Sequence, residues 1–237
     1  MNWLLQLKTS CSFAMQWIRS LATTFYKPIL LRWLSAERIY RHGKTKVRVP
    51  PYVFHPGFFF STKLLLRHLR NIGLNNKTLL ELGAGTGLIA VKAAQGGAMV
   101  TATDINPGAV AVIRKNAMDN DVTLTVIESD LFDRLPGQVF DFIIINPPYY
   151  FRSPANWKEH AWYCGENGEY FRGLFSGLSN YTNRDSVILM VLCEGDHRRR
   201  IEEIANGEGF RFECVKKATN LLETNFIYRI HQQPSSS

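Results

Sequence analysis

The stretch Asp141-Phe142-Ile143-Ile144-Ile145-Asn146-Pro147-Pro148-Tyr149-Tyr150 decides the fold of this chain. Its apolar, β-branched run predicts a strand that is buried on both faces, and the two prolines forbid its continuation as strand or helix, so the strand ends at Asn146. Each proline also pushes the residue before it toward an extended backbone. We therefore expect a rigid pair of acceptors, the Asn146 side-chain oxygen and the Pro147 carbonyl oxygen, able to take both hydrogens of an –NH2 group. Tyr149 offers a flat aromatic face to the group that bears it. A simpler interpretation is that Asn-Pro-Pro only ends a strand.

A glycine-rich turn lies upstream of this strand. Thr78–Leu82 is predicted to be a short strand, which leads through Gly83-Ala84-Gly85-Thr86-Gly87 into a helix that begins at Leu88. Glycines permit a tight turn and the close approach of a ligand to the backbone, and the start of the helix presents free N–H groups to an anion such as a carboxylate. The pattern indicates a nucleotide-type site. It does not fit the G-x-G-x-x-G of dinucleotide-binding proteins, because Leu88 stands at the last glycine position.

Acidic residues follow the next two predicted strands. Asp104 lies 21 residues after Gly83, a distance at which an acidic side chain accepts hydrogen bonds from both hydroxyls of a ribose. Asp130 is placed to accept a hydrogen bond from an adenine amino group, while Leu131 packs on the ring. Ordinary local roles compete with these interpretations, a helix cap for Asp104 and a turn for Asp130. Each motif lies at the carboxyl end of a successive strand, where open parallel sheets bind ligands.

These motifs, in this order, resemble class I S-adenosylmethionine-dependent N-methyltransferases, which act on exocyclic amines of bases or on glutamine side-chain amides. Asn-Pro-Pro-Tyr at residues 146–149 is similar to their signature, and Glu81-x-Gly-x-Gly-x-Gly is similar to their first motif. The resemblance covers residues 50–230 approximately. It implies an α/β, Rossmann-like fold, with a mainly parallel seven-stranded sheet and helices on both faces.

The resemblance also implies a cofactor and a set of site residues. S-adenosyl-L-methionine is the expected cofactor, and no metal is expected. The predicted catalytic residues are Asn146, Pro147 and Tyr149, and the predicted substrate contacts are Asn146, Pro147, Pro148 and Tyr149. The predicted cofactor contacts are Thr62, Glu81, Gly83, Ala84, Gly85, Thr86, Gly87, Asp104, Ile105, Asp130, Leu131 and Asn146.

The methyl acceptor stays open between two kinds of macromolecule. The segment 164–169 is similar to the one that follows Asn-Pro-Pro-Tyr in the HemK-type glutamine methyltransferases, and it slightly favours a protein glutamine. Residues 59–63 depart from the Pro-Arg-x-x-Thr-Glu pattern of that group. The aromatic stretch 151–163 and the basic N-terminus favour an adenine of RNA or DNA instead. A binding module that keeps the fold without catalysis, and holds RNA or a partner, is the competing class of function. A nicotinamide dehydrogenase is disfavoured by Leu88.

The net charge of +8 lies in the first 49 residues, where nine Lys and Arg face the single acidic residue Glu37. Apolar residues recur at steps of three and four from Trp3 to Phe25, so we expect residues 1–46 to form a basic amphipathic helical extension that docks on the domain. Contact with RNA, a ribosome or an anionic surface is an alternative, as is a solvated face. Residues 47–231 are expected to form the methyltransferase domain, and residues 232–237 a disordered tail.

Composition excludes several other classes of protein. No apolar run approaches the roughly 18 residues that a membrane-spanning helix needs. The four cysteines have no CxxC spacing, and the histidines form no metal-like pair. We therefore expect a cytoplasmic protein with no transmembrane segment.

Overall fold

The computed structural model describes residues 36–51, 53, 55–57, 60–157, 159–195, 197–220 and 223–233. The chain divides after Arg38, and almost all of the described residues belong to the unit from Ile39 to Ser237. The helix predicted between Trp3 and Phe25 lies outside the described residues, as do residues 234–237 of the predicted tail. No helix within the described ranges has the length and apolarity needed to cross a membrane.

Strands and helices alternate along most of the described chain. The strands are β1 (Arg38–His42), β2 (Thr45–Val49), β3 (Thr78–Leu82), β4 (Met99–Asp104), β5 (Thr125–Glu128), β6 (Phe142–Ile145), β7 (Val187–Cys193), β8 (Phe210–Thr219) and β9 (Thr224–Gln232). The helices are α1 (Phe60–Leu69), α2 (Leu88–Gln95), α3 (Pro107–Met118), α4 (Glu169–Leu178) and α5 (His197–Gly207). Short 3₁₀ turns lie at Glu159–Ala161 and Ser179–Tyr181.

Seven of these strands form one sheet in the order β5-β4-β3-β6-β7-β9-β8. Neighbours from β5 to β7 are parallel, whereas β9 is antiparallel to both β7 and β8. The predicted seven-stranded, mainly parallel α/β sheet is therefore confirmed. Successive strands run outward from β3 in one direction and from β6 in the other, so the order reverses between these two. Open α/β sheets bind ligands at such a reversal.

Apolar side chains cover both faces of the sheet, as the continuous apolar runs of the parallel strands predict. All four residues of β6 are buried. One hydrophobic cluster joins the sheet to α1, α2 and α3, and a second cluster joins the opposite face to α4 and α5. Helices therefore lie on both faces of the sheet. The ends of the strands, between the two helical layers, can form a binding site.

Residues 38–46 belong to a β-hairpin, although we predicted that they form part of a helical extension. β1 and β2 make a separate two-stranded sheet, joined at Gly43, whose φ of 61° suits a tight turn. In β2 the buried Thr45, Val47 and Val49 alternate with the more exposed Lys46 and Arg48. Such an alternation with a period of two is typical of a strand. We did not recognise it in the sequence because charged residues occupy the outward positions. The predicted boundary after residue 46 consequently falls inside a strand.

Asn116 of α3 and Asn120, in the turn that follows this helix, hold the hairpin on the domain. The Asn116 side chain accepts the N–H of Arg48 at 2.7 Å and donates to its carbonyl at 3.0 Å. Asn120 does the same for Lys46, at 3.1 and 2.6 Å. Four residues of helix rise by about 6.0 Å and two residues of strand by about 6.6 Å, so the two spacings match. Each amide thereby makes the pair of backbone hydrogen bonds that a residue of a neighbouring strand would make.

The C-terminal strands extend further than their sequence pattern predicts. β9 continues to Gln232, which pairs with Phe210 of β8. Residue 232, which we predicted to begin the tail, therefore belongs to the sheet.

Candidate active site

A cavity of about 810 Å³ lies at the carboxyl ends of the central strands. This size is typical of a site for a small molecule or cofactor. Its walls include nearly every residue predicted for the site: Thr62, Glu81, Gly83, Ala84, Gly85, Thr86, Asp104, Ile105, Asp130, Leu131, Asn146, Pro147, Pro148 and Tyr149. Gly87 is the exception. It precedes α2 with a φ of 70°, and a Cβ there would come within 2.9 Å of Ile113, so this glycine serves packing behind the turn.

The glycine turn and Asn146 lie side by side because of the strand register. Leu82 of β3 pairs with Ile145 of β6, and the residues that follow them are Gly83 and Asn146. Gly83 has a φ of 65°, and a Cβ built on it would meet no atom within 4 Å. The space above this backbone is therefore open, and a ligand can approach it closely.

Asn146 is oriented by a residue of α1. Its Nδ2 donates to the Thr62 hydroxyl oxygen at 3.5 Å, a long and weak hydrogen bond. The Thr62 side chain is buried, which restricts its position. Because the amide nitrogen is turned toward Thr62, the amide oxygen of Asn146 remains available as an acceptor.

Asp104 fixes the glycine turn as well as facing the cavity. Its two carboxylate oxygens accept the N–H of Gly85 at 2.8 Å and the N–H of Asn106 at 2.9 Å. Burial raises the pKa of Asp104, and these two N–H donors oppose the shift. Each carboxylate oxygen can accept a second hydrogen bond, so both remain able to meet a pair of ribose hydroxyls. Asp104 does not cap α3, because the side chain that caps this helix is that of Asn106.

Glu81 is a buried acid in the same wall. Its Oε2 accepts the N–H of Ala90 in α2 at 2.7 Å. Burial raises the pKa of Glu81 to about 8, the hydrogen bond from Ala90 opposes the shift, and the charge of Asp104 adds to it. A carboxyl group that is protonated at neutral pH in the free protein becomes ionised when a cation binds beside it.

Asp130 and Leu131 form the far wall of the cavity. Asp130 is exposed, and partial burial followed by the charge of Asp133 raises its pKa, whereas His160 opposes the shift. Leu131 has a φ of 44°, an uncommon conformation for a residue with a branched side chain. His160 also acts on Asp104. Sequence reasoning did not connect this histidine with the two acids, because it lies in a loop without periodicity.

Tyr149 has a neighbour that the sequence did not predict. The ring of His197 stacks on it, with ring centroids 4.8 Å apart and planes 18° apart. Burial raises the pKa of Tyr149, and Tyr150 and Cys193 add to the shift. One face of the phenol is thus covered by His197, and the flat surface predicted for the substrate is limited to the other.

The rim of the cavity is aromatic. Tyr150 and Trp157 are 47% and 51% exposed, and both line the cavity. The loop predicted to face the substrate, residues 151–163, supplies part of this lining. The cavity therefore has an acidic interior around Glu81, Asp104 and Asp130, and an uncharged aromatic mouth beside Asn146.

The polar groups that line the cavity fit S-adenosylmethionine. Asp104 and Asp130 provide acceptors for hydroxyl and amino groups, Glu81 provides an acid for an ammonium group, and the turn at Gly83 leaves space for close approach. No group of three or more His, Cys, Asp or Glu that could hold a metal occurs among the residues that the structure describes.

Comparison with known sequences agrees with this geometry. A family model of the methyltransferase small domain matches residues 45–161. A relative from Methanocaldococcus jannaschii, named as a protein N5-glutamine methyltransferase, is 42% identical over 152 residues, which are 62% of this chain and 75% of the relative. A release factor glutamine methyltransferase from Flavobacterium psychrophilum is 36% identical over 89 residues, 36% of this chain and 31% of that protein.

Solved structures share the fold at low sequence identity. The Mtq2–Trm112 complex of E. cuniculi, described as responsible for methylation of the eRF1 translation termination factor, has a TM-score of 0.58 at 20% identity and covers 77% of this chain and 99% of its own. A methyltransferase from Pyrococcus furiosus has a TM-score of 0.58 at 17% identity, covering 93% and 98%. These structures show the class I fold, and the family model and the M. jannaschii relative show that the chain belongs to the methyltransferase small-domain family and is an S-adenosylmethionine-dependent methyltransferase.

Proposed function

We propose that this protein transfers the methyl group of S-adenosylmethionine to the side-chain amide nitrogen of a glutamine in another protein. The observation that carries the proposal is the position of Asn146, with its nitrogen turned to Thr62 and its oxygen left as an acceptor in the cavity that also contains the Gly85 backbone. The names of the relatives from M. jannaschii and F. psychrophilum support a glutamine as the acceptor.

Two oxygen acceptors solve the chemical difficulty of this reaction. An amide nitrogen is a poor nucleophile, because its lone pair is delocalised into the carbonyl group. The Asn146 side-chain oxygen and the Pro147 carbonyl oxygen each accept one hydrogen of the –NH2 group, which favours a pyramidal nitrogen and stabilises the positive charge that develops. The cofactor supplies a methyl group bonded to a cationic sulfur, an electrophile. The acceptor nitrogen would form the new N–C bond as the bond between methyl and sulfur breaks, the sulfur would keep that electron pair as a neutral thioether, and the nitrogen would lose one proton to water.

Positioning accounts for most of the catalysis in this scheme, and no strong base takes part. Asn146 is neutral at every working pH. The raised pKa of Tyr149 keeps its phenol protonated, so this ring acts as a surface. The prolines after Asn146 restrict the backbone of the acceptor pair, and Thr62 orients the Asn146 side chain.

Label transfer from the cofactor tests the proposal. The purified protein is incubated with methyl-labelled S-adenosylmethionine and a cell extract, and the labelled product is divided between protease and nuclease treatment. We expect protease-sensitive label, and acid hydrolysis of the labelled protein should release methylamine, the product of an N-methylated side-chain amide. The Asn146→Ala variant is the matched control and should leave the extract unlabelled.

Two results would contradict the assignment. Label that nuclease removes and protease does not would identify a nucleic-acid amine as the acceptor, which is the alternative class of substrate. Wild-type protein that binds S-adenosylmethionine but labels nothing in the extract would favour the binding-module interpretation.

A further inference from the structure

Three cations form one stripe along α1. Lys63, Arg67 and Arg70 are spaced by four and three residues, so they share a face of the helix. The backbone of Arg70 still donates to the carbonyl of Leu66 at 3.2 Å, which continues the helical geometry to this residue. Arg67 and Arg70 are exposed and Lys63 is partly so. The stripe is about 10 Å long, at 1.5 Å per residue.

Cations from two other elements, α2 and β8, lie near this stripe, because residues of α1, α2 and β8 pack in the same hydrophobic cluster. Lys63, Arg70 and Lys92 of α2 all act on His42 of β1, where burial and then these charges lower the pKa. On the other side, Lys216 of β8 acts on His68 of α1 in the same way. Residues of α1, α2 and the edge strand β8, with Arg70 just after α1, therefore contribute to one positive surface. We call this surface the basic face and define it by Lys63, Arg67, Arg70, Lys92 and Lys216.

The basic face lacks acidic partners in the described part of the chain. Lys77, Lys115, Arg134, Arg198 and Arg199, on other surfaces, each lie within 3.6 Å of a carboxylate. None of the ion pairs within the described ranges includes a residue of the basic face. Glu223 lies beside α1, but its carboxylate accepts the N–H of Phe60 at the start of the helix.

Helix stability does not explain this concentration of charge. Like charges four residues apart, such as Lys63 and Arg67, destabilise a helix by roughly 0.2–0.5 kcal/mol. The helix dipole favours cations in the last turn, which accounts for Arg67 and Arg70 but not for Lys63 near the start. It also has no bearing on Lys92 or Lys216, which belong to other elements. The repulsion among these groups is relieved when a polyanion binds.

We propose that the basic face binds single-stranded RNA through its phosphate backbone. Most of α1 is buried, so only one stripe of side chains is accessible and the helix cannot enter a duplex groove. The stripe can neutralise phosphates along one such strand.

An anionic membrane fits the same surface less well. Membrane-surface helices combine cations with apolar side chains that insert among the lipids. The large apolar side chains exposed in the described residues are Ile39, Met99, Met118, Val139, Tyr150 and Trp157. None of them lies on α1 or β8, which carry most of the basic face.

Fluorescence anisotropy with a labelled single-stranded RNA oligonucleotide tests the proposal on the full chain without cofactor, so the result is independent of methyl transfer. The test variant is Arg67→Glu/Arg70→Glu/Lys216→Glu. The matched control is Lys115→Glu/Arg184→Glu/Arg199→Glu, which has the same change of net charge on other surfaces. We expect the test variant to bind RNA about tenfold or more weakly. Its slope of log affinity against log salt should fall by about 2, because each phosphate that the protein no longer neutralises reduces the slope by about 0.7.

The control should bind RNA within about threefold of wild type, and S-adenosylmethionine binding by both variants shows that they are folded. The proposal is overturned if wild type does not bind RNA at low salt, or if test and control variants weaken equally, which would reflect net charge alone. It is also overturned if wild type binds phosphatidylserine vesicles but not RNA.

Discussion

The phenol ring of Tyr149 lies nearly parallel to the imidazole of His197, with 4.8 Å between ring centroids. His197 is itself held by a contact of 3.0 Å between its Nε2 and the carbonyl oxygen of Cys193, at the end of β7. The aromatic residue that follows the two prolines is therefore supported from α5, a helix that begins almost fifty residues later in the chain. This support sets the face of Tyr149 that remains for an acceptor.

Replacing His197 should therefore impair the acceptor more than the cofactor. An aromatic pair of this kind contributes about 0.5–1.5 kcal/mol beyond its buried area, so we expect His197→Ala to lower kcat/KM for the methyl acceptor by roughly threefold to tenfold. The affinity for S-adenosylmethionine, measured by calorimetry, should be unchanged. His197→Phe retains the ring and should recover most of the loss. Equal activity of the Ala and Phe variants would show that stacking is not the cause.

Asn146→Ala should separate catalysis from cofactor binding. Removing one preorganised polar group from a charge-stabilising site costs about 10²–10³ in rate, and we expect methyl transfer to fall by at least that factor. Cofactor affinity should remain nearly intact, because Gly85, Asp104 and Glu81 are untouched. Calorimetry and label transfer on the same preparation provide the two measurements. Loss of both together would assign Asn146 a structural role.

Asp104→Asn and Asp130→Asn should differ in their effect on stability. The Asp104 oxygens accept two backbone N–H groups, so an amide –NH2 in place of one oxygen faces a donor and costs about 1–3 kcal/mol in the free energy of unfolding. The exposed Asp130 should be replaced within about 0.5 kcal/mol. Both variants should bind the cofactor more weakly. Thermal unfolding and calorimetry measure the two effects, and equal destabilisation would contradict the assigned difference.

Cofactor binding should release a proton from Glu81. The pKa of this carboxyl is raised to about 8 in the free protein, and an adjacent ammonium group favours the ionised form. We expect the apparent binding enthalpy near pH 7 to depend on the ionisation enthalpy of the buffer, with a slope of roughly one proton. Glu81→Gln has no proton to release, so its slope should be close to zero. A slope near zero in wild type would place the ammonium elsewhere.

The same residue makes the free protein less stable as pH rises. Between the ordinary value of 4.5 and about 8, the folded chain holds a proton on Glu81 that the unfolded chain has lost. The free energy of unfolding therefore decreases with pH across this window, and its contribution is fully present only below the lower value. Chemical denaturation of wild type and Glu81→Gln at several pH values isolates this contribution, which the variant should lack.

The cavity residues could be predicted from the sequence because each follows a strand of a parallel sheet. Asp104 ends β4, and Gly83, Asp130 and Asn146 come directly or almost directly after β3, β5 and β6. Parallel strands bring such residues to one edge whatever the lengths of the helices between them. Their roles toward the cofactor remain predictions. The local sequence pattern was enough to predict that these residues lie in one cavity.

Other features depend on packing between distant segments and leave no local pattern. The contact between Tyr149 and His197 joins residues far apart in sequence, and His160 acts electrostatically on Asp104 and Asp130 from the 3₁₀ turn at Glu159–Ala161. The β1–β2 hairpin was missed for a different reason. Its alternation is short and occurs within a highly charged segment, so the strong helical period between Trp3 and Phe25 was extended too far along the chain.

The paired amides of Asn116 and Asn120 have a consequence for association between molecules. A strand at the margin of a small sheet exposes N–H and C=O groups that recruit strands from other chains, and this is a common route to aggregation. The two asparagines occupy these groups on Lys46 and Arg48. The β2 edge of the hairpin is thereby protected from strand addition by another molecule, although no further strand covers it.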